Sequence, residues 1–221
     1  MPQPDSTALI LGGGASGLLL GAACAEAGIA AQIIEPRTHY EADRTWSFWA
    51  EPQHEFADCE LGRWSQWSVA PARALHEPQA EQTISRRSQA MVYASLDAGR
   101  VYDRLTGVID QSESVTLHRG LSAFGSPERH AADHWQVATD DGVLTAHYVF
   151  DSRPDMTTRP VYGQYFVGQE IRTERPCFDP SVAQLMHFRV NPDGTGIDFL
   201  YTLPFAADHA LVEVTRFTAI A

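Results

Sequence analysis

Near the end of the chain the residues read Leu211-Val212-Glu213-Val214-Thr215-Arg216-Phe217. Strand interiors disfavour Glu, so a carboxylate inside this β-branched run asks for a reason. Held among Leu211, Val212, Val214 and Phe217 it would lose water, and lost hydration favours the neutral form of a carboxyl. A protein keeps a general acid protonated near neutral pH in this way. The opposing reading is a solvated strand residue. Alternation puts Leu211, Glu213 and Thr215 on one face and Val212 and Val214 on the other, and if the valine face is the core, Glu213 points to water.

A second chemical feature lies at the other end. Gly12-Gly13-Gly14-Ala15-Ser16-Gly17 satisfies G-x-G-x-x-G, and Glu35 follows at the distance of an acid that accepts from ribose hydroxyls. Gly12 permits the tight turn. Gly14 lets a pyrophosphate approach the backbone, and Ala15 opens the helix whose N-terminal amides favour anions. Gly17, with Gly21, lets helix and strand pack closely. The fingerprint does not separate FAD from NAD; the acid at Glu35 disfavours the 2′-phosphate of NADP.

The elements that position these residues follow from pattern. Residues 7–11 read as a buried strand, 15–27 as a small-residue helix closed by Gly28, and 30–34 as a second strand ending at Glu35. A βαβ start implies a parallel sheet. Residues 36–84 read as irregular and hold Trp46, Trp49, Trp64 and Trp67. Residues 90–96 read as a strand, with Asp97 as N-cap of a helix over 98–106. Residues 115–150 alternate around Asp140-Asp141-Gly142 as a β-hairpin. From Val161 the texture changes to long strands over 161–171, 182–190, 196–203 and 209–218, with Asn191-Pro-Asp-Gly194 as a turn. The spans divide as 1–45 with 85–155 for the dinucleotide-binding domain, and 46–84 with 156–221 for an antiparallel-sheet domain.

Composition narrows the function class. The chain has 221 residues, 44 % hydrophobic and 20 % charged, with a net charge of −12. That balance argues against nucleic acid, whose affinity comes mostly from phosphate neutralisation. All 16 basic residues are Arg, which fits coding bias better than function. Cys24, Cys59 and Cys177 match no zinc or redox spacing and suit a reducing compartment. The histidines show no metal-ligand spacing, so no metal is expected. The apolar stretch from Ala8 to Ile34 reads as strand, turn and helix rather than a signal peptide or membrane span.

Three further segments carry a resemblance: Arg44-Thr-Trp-Ser-Phe-Trp49, Phe166-Val-Gly-Gln-Glu170, and Asp198 to Thr218 with its Leu203-Pro-Phe and Leu211-Val-Glu-Val-Thr215 stretches. In that order, with the glycine fingerprint and Val149-Phe-Asp-Ser-Arg153 between them, the chain resembles the bacterial lycopene β-cyclases over nearly its whole length. The resemblance implies an α/β fold with a Rossmann-type FAD-binding domain of the flavoprotein hydroxylase kind and an inserted antiparallel-sheet substrate domain. It implies an isomerase of the intramolecular lyase type, peripheral to the inner membrane on the cytoplasmic side. Such an enzyme closes the acyclic ends of lycopene, or a similar C40 polyene, into β-rings with reduced FAD, no net redox change, and NAD(P)H as possible reductant. The alternative is an FAD-dependent oxidoreductase, a hydroxylase or a polyene reductase.

Site residues follow from the same resemblance. Glu213 matches the family's essential acid. Trp46, Phe48 and Trp49 offer aromatic faces for the polyene or its cation. Asp151 stands in the family's Asp-x-Arg-Gly, with Pro154 replacing the Gly. Arg100, at the start of the helix, is placed to reach a flavin phosphate or to lie on the helix surface. The chain departs in two further places: Val214 follows Glu213 where several relatives carry a second acid, and His187, a fourth candidate to face the substrate, stands in Met186-His187-Phe188 where relatives read Met-Asp-Phe. Relatives also continue past the second sheet, so the resemblance implies an N-terminal part with the C-terminal part missing.

Overall fold

The computed structural model describes residues 6–73, 83–131, 133–154, 161–189 and 196–220. In chain order its elements are β1 (Ser6–Leu11), α1 (Ala15–Ala27), β2 (Ala31–Glu35), β3 (Thr45–Ala50), β4 (Glu60–Trp64), β5 (Gln66–Arg73), β6 (Ile84–Arg87), β7 (Val92–Asp97), α2 (Ala98–Asp110), β8 (Val115–Arg119), β9 (Ala123–Ala131), β10 (His134–Thr139), β11 (Gly142–Asp151), β12 (Tyr162–Arg172), β13 (Val182–Arg189), β14 (Ile197–Ala206) and β15 (His209–Ala219). They group into two units, residues 1–44 with 98–156 and residues 45–97 with 157–221.

The first unit is a six-stranded sheet in the order β8-β2-β1-β11-β10-β9. β8, β2, β1 and β11 run parallel, and β10 and β9 add antiparallel. The central strands β1 and β2 are apolar because they are buried almost throughout; Leu9, Leu11 and Ile34 join Val137 and Ala146 in one buried cluster. Helix α1 ends as its sequence foretells, with Gly28 in the left-handed region at φ 65°. Helix α2 buries Val101, Tyr102, Leu105 and Ile109. It starts straight after Asp97 and outruns the expected 98–106, because Ile109 continues the buried stripe.

The second unit holds a six-stranded sheet in the order β12-β15-β14-β13-β5-β6 and a three-stranded sheet β3-β7-β4. The four long strands read from sequence are β12 to β15, each antiparallel to its neighbour among them. Trp64, Ala183 and Leu203 form the buried centre, with Tyr93, Tyr201 and Leu211 packed against it. Pro204 is tolerated where the β14–β15 register slips, and its carbonyl accepts a hydrogen bond from Trp64 Nε1 at 3.3 Å.

Three readings change. The described residues of the 36–84 stretch include β3, β4 and β5, where the sequence reads as irregular. Those strands are short and defined by distant partners, β7 for the first two and β13 for the third, so local alternation is a poor guide to them. Residues 85–97 belong to the second unit rather than the first, because β7 is the middle strand of the small sheet. The 115–150 region is more than a hairpin: β8 joins β2 in parallel, and only β9, β10 and β11 form the antiparallel run. The turn expected at Asn191–Gly194 lies outside the described residues.

Candidate functional sites

The glycine turn of the first unit joins β1 to α1. Gly12 has φ +97°, and a Cβ there would come within 2.7 Å of Ser152 Oγ. A Cβ on Gly17 would fall 1.9 Å from the Gly12 carbonyl oxygen, so the helix seats on the turn only with glycine at that position. Over Gly14 a Cβ would meet nothing within 4 Å. Gly14 caps α1 without a side-chain hydrogen bond, which leaves the first amides of the helix to an outside acceptor. Open space over amides aimed outward fits a dinucleotide pyrophosphate.

Glu35 has a different place from the one expected. It is 3 % exposed. Its Oε2 accepts from the Gly13 amide at 2.7 Å and from Arg37 Nη2 at 3.2 Å, and its Oε1 accepts from the Arg37 amide and Nε at 2.8 and 2.9 Å. Burial alone would raise its pKa, but the Arg37 hydrogen bonds and charge, with the Gly13 amide, hold it below the usual carboxylate range. With Arg37 in this position the acceptor sites of Glu35 are filled, so a ribose hydroxyl reaches it only by displacing that guanidinium. Tyr40 lies under the Arg37 guanidinium; burial and the Glu35 charge push its hydroxyl up to about 12. Gly13, a variable position of the fingerprint, proves as constrained as the named glycines: a Cβ there would lie 2.4 Å from the Tyr40 hydroxyl.

Asp151 pairs with Leu11 at the end of β11, beside the turn. Its carboxylate accepts from Arg153 Nε and Nη2 at 2.8 and 2.7 Å, and that guanidinium holds it below its ordinary range. Arg153 continues to the carbonyls of Ala123 and Gly125. Asp151 is thus a brace for the Asp-Ser-Arg segment. Arg100 is exposed in the first turn of α2.

In the second unit a cavity of about 340 Å³ is lined by residues of both sheets, among them Ser47, Trp49, Tyr93, Tyr201, Glu213 and Thr215. The face question for β15 is settled here. Thr215 is 1 % exposed while Val214 is 52 % exposed, so Leu211, Glu213 and Thr215 face inward. Glu213 sits opposite Tyr201 on β14 and Gly168 on β12. A Cβ on Gly168 would lie 3.5 Å from Glu213 Oε2, so this glycine leaves room beside the carboxyl. Thr215 Oγ1 donates to Glu213 Oε1 at 2.8 Å. The carboxyl is half-buried rather than enclosed.

Two phenols complete the polar end of the cavity. Tyr93 and Tyr201 hydroxyls are 2.6 Å apart. Burial pushes both above the ordinary phenol value, and the nearby Glu213 charge adds to the rise, so both stay neutral. Ser47 Oγ is buried beside them without a well-aligned hydrogen bond. Trp49 stacks edge-on with Trp67 and Tyr93, centroids 4.4 and 5.0 Å apart.

Of the residues expected around the substrate, Glu213 and Trp49 meet in this cavity. Trp46 and Phe48 alternate to the other face of β3, where Phe48 packs edge-on against His54. His187 does not line the cavity. It is 4 % exposed, its Nε2 is 2.9 Å from Ser68 Oγ, and burial with the Arg189 charge lowers its pKa. A register shift between Gln184 and His187 gives the cavity Leu185 and Met186 instead. Tyr93, Tyr201, Ser47 and Thr215 escaped the sequence reading; only Thr215, two residues from Glu213 on the same strand face, carried a visible signal.

Residues 8–220 match the family described as Lycopene cyclase protein. No curated protein matches the chain in sequence. Among solved structures, it is similar to halogenase PltM in complex with phloroglucinol and FAD, at 12 % identity and TM-score 0.65, covering 96 % of this chain and 51 % of that one. It is similar to 2,6-dihydroxypyridine-3-hydroxylase from Arthrobacter nicotinovorans, at 14 % identity and TM-score 0.65, covering 99 % and 58 %. A geranylgeranyl bacteriochlorophyll reductase-like protein from Thermoplasma acidophilum matches at 11 % identity and TM-score 0.61, covering 95 % and 56 %. The chain therefore has the Rossmann-type flavoprotein fold and spans between half and three-fifths of the length of these structures. Among the described residues no helix is long and apolar enough to cross a membrane.

Proposed function

Because the chain belongs to the lycopene cyclase protein family, we propose that it carries the acid site of a flavoprotein that cyclises the ends of lycopene or a similar C40 polyene. The observation that carries this reading is Glu213, turned inward between Gly168 and Tyr201 in a cavity walled by Trp49, Tyr93, Phe199 and Leu211. Thr215 occupies Oε1, so Oε2 is the oxygen that holds the transferable proton. Glu213 protonates the terminal double bond and leaves a tertiary carbocation. The neighbouring double bond of the chain attacks it and closes the ring. A proton then leaves the ring carbon for the Glu213 carboxylate, and the cycle ends with no net oxidation or reduction.

The protein's other groups serve that cation. The faces of Trp49, Tyr93 and Tyr201 offer the ring quadrupole that attracts positive charge. Neutral phenols do not quench it as a carboxylate would. A cavity of about 340 Å³ lies at the small end of the ~300–1,000 Å³ typical of ligand sites, room for one end of a long polyene. FAD on the Gly12–Gly17 turn, its pyrophosphate at Gly14 and the α1 amides, would supply an electron-rich ring when reduced by NAD(P)H. A C40 polyene dissolves in lipid, so on this reading the protein works as a peripheral protein at the cytoplasmic face of the inner membrane.

The test uses protein loaded with reduced FAD and given lycopene. Glu213→Gln keeps the shape and removes the acid, and ring formation should be lost. Wild-type-like rings from that variant would remove Glu213 from its role. Product formed with stoichiometric consumption of NAD(P)H or oxygen would instead indicate an oxidoreductase.

A further inference from the structure

Two imidazoles stand against each other on the β10–β11 hairpin, in the first unit. The strands are joined at Asp140–Asp141, and their register sets Trp135 against Ala146, so His134 meets His147 one step further on. The rings are stacked, with centroids 4.8 Å apart and planes 26° from parallel. Asp133 engages both. Its Oδ1 is 2.8 Å from His134 Nδ1, and its backbone carbonyl is 3.1 Å from His147 Nδ1.

These contacts fix the tautomers. A carbonyl oxygen only accepts, so His147 Nδ1 carries a proton. An ionised carboxylate also only accepts, so His134 Nδ1 carries one too. Each neutral ring is left with a bare Nε2 lone pair. The His134 side chain is 12 % exposed, and its Nε2 is buried with no hydrogen-bond partner among the described residues.

Imidazoles oriented through Nδ1–H by a carboxylate or carbonyl are the arrangement metal sites use. One ligand atom from each of Asp133, His134 and His147 lies within 4.8 Å of the others. Metal–nitrogen bonds of ~2.0–2.1 Å run in the plane of each ring, so one ion reaches both Nε2 atoms only after the rings swing out of their stack, a movement that also opens the buried His134 Nε2 to the ion and its waters. We propose that His134 and His147 form a two-imidazole site for a borderline divalent ion such as Zn²⁺, with Asp133 orienting both rings and water completing the shell. Nitrogen donors favour Zn²⁺, Cu²⁺ or Ni²⁺ over Ca²⁺ and Mg²⁺. The ion would cross-link β10 to β11 through side chains, independently of the cyclisation chemistry. No linear spacing announces the site because the hairpin brings its ligands together.

The test is a Zn²⁺ titration of the full chain against a chromophoric chelator, with thermal unfolding followed in parallel. One equivalent should bind to the wild type and raise its unfolding midpoint, since the ion binds the folded state. His147→Gln and His134→Ala should each lose that equivalent, and Asp133→Asn should weaken it about ten- to hundredfold. His39→Ala, at an exposed imidazole paired with Glu41, should change nothing. Should His134→Ala fail to fold, His147→Gln carries the comparison, because that ring is partly exposed. Absence of tight Zn²⁺ binding by the wild type, or equal binding by His147→Gln, overturns the proposal.

Discussion

Thr215 Oγ1 donates to Oε1 of Glu213 across 2.8 Å, from a position two residues along the same inward face of β15. The hydroxyl is fixed because Thr215 is buried, so it holds the carboxyl in one rotamer with Oε2 beside Gly168. Thr215→Val removes the donor at nearly constant volume. A hydrogen bond to a charged group is worth ~1.5–3 kcal/mol, so the variant should cyclise about ten- to a hundredfold more slowly with its fold intact. Single-turnover rates with reduced FAD and lycopene check this, beside circular dichroism. Thr215→Ser, which restores the hydroxyl, should recover most of the rate. An unchanged rate in the Val variant would show that Thr215 does not position the acid.

Two glycines of the nucleotide turn should separate folding from binding. A Cβ on Gly17 meets the Gly12 carbonyl at 1.9 Å, a backbone atom that cannot yield cheaply. Gly17→Ala should cost ~3 kcal/mol or more, at or beyond the usual overpacking range. A Cβ on Gly14 meets nothing within 4 Å, so Gly14→Ala should fold like the wild type. Its methyl would occupy the space over the helix amides, and the purified protein should lose flavin absorbance. Urea midpoints and flavin content of the two variants decide it. Full flavin retention by Gly14→Ala would place the pyrophosphate elsewhere.

The sequence disclosed what local pattern can encode. Gly12 to Gly17, the flanking strand and helix, and the four long strands β12 to β15 were legible because periodicity and glycine placement are local signals. The cavity was half legible. Glu213 and Trp49 stood in recognisable segments, but the inward face of β15 depends on β12 and β14 beside it. Tyr93 and Tyr201 come from strands far apart in the chain, and nothing near either residue points to the other. Glu35 was recognised as the acid after β2, yet its partner Arg37 sat unnoticed two residues away. A register shift, invisible in sequence, took His187 out of the cavity.

The Tyr93–Tyr201 contact couples the two sheets of the second unit. One phenol donates to the other at 2.6 Å, away from bulk water. Tyr201→Phe should destabilise by ~1–2 kcal/mol, and Tyr93→Phe by a similar amount, since each leaves one hydroxyl without its partner. The double variant should cost clearly less than the sum, because each single change already breaks the shared bond. Urea unfolding of all four proteins closes the cycle. Strict additivity would mean that the two hydroxyls do not interact.

His187 should set part of the acid sensitivity of the second unit. It is buried against Ser68, and burial with the Arg189 charge depresses its pKa in the folded chain. The unfolded chain keeps the ordinary value of about 6.5. Between the two values the unfolded state binds more protons, so stability falls as pH falls. The contribution is complete above about 6.5 and is lost on acidification toward the lower folded value. Glu35 and Asp151, whose folded pKa values are also depressed, lose their contributions only below about 4, so the windows separate. His187→Gln keeps a hydrogen-bonding partner for Ser68 and cannot titrate. Its urea midpoint should therefore drop less than that of the wild type between about pH 7 and about pH 5. Parallel pH profiles for the two proteins would mean that His187 does not stay neutral in the folded sheet.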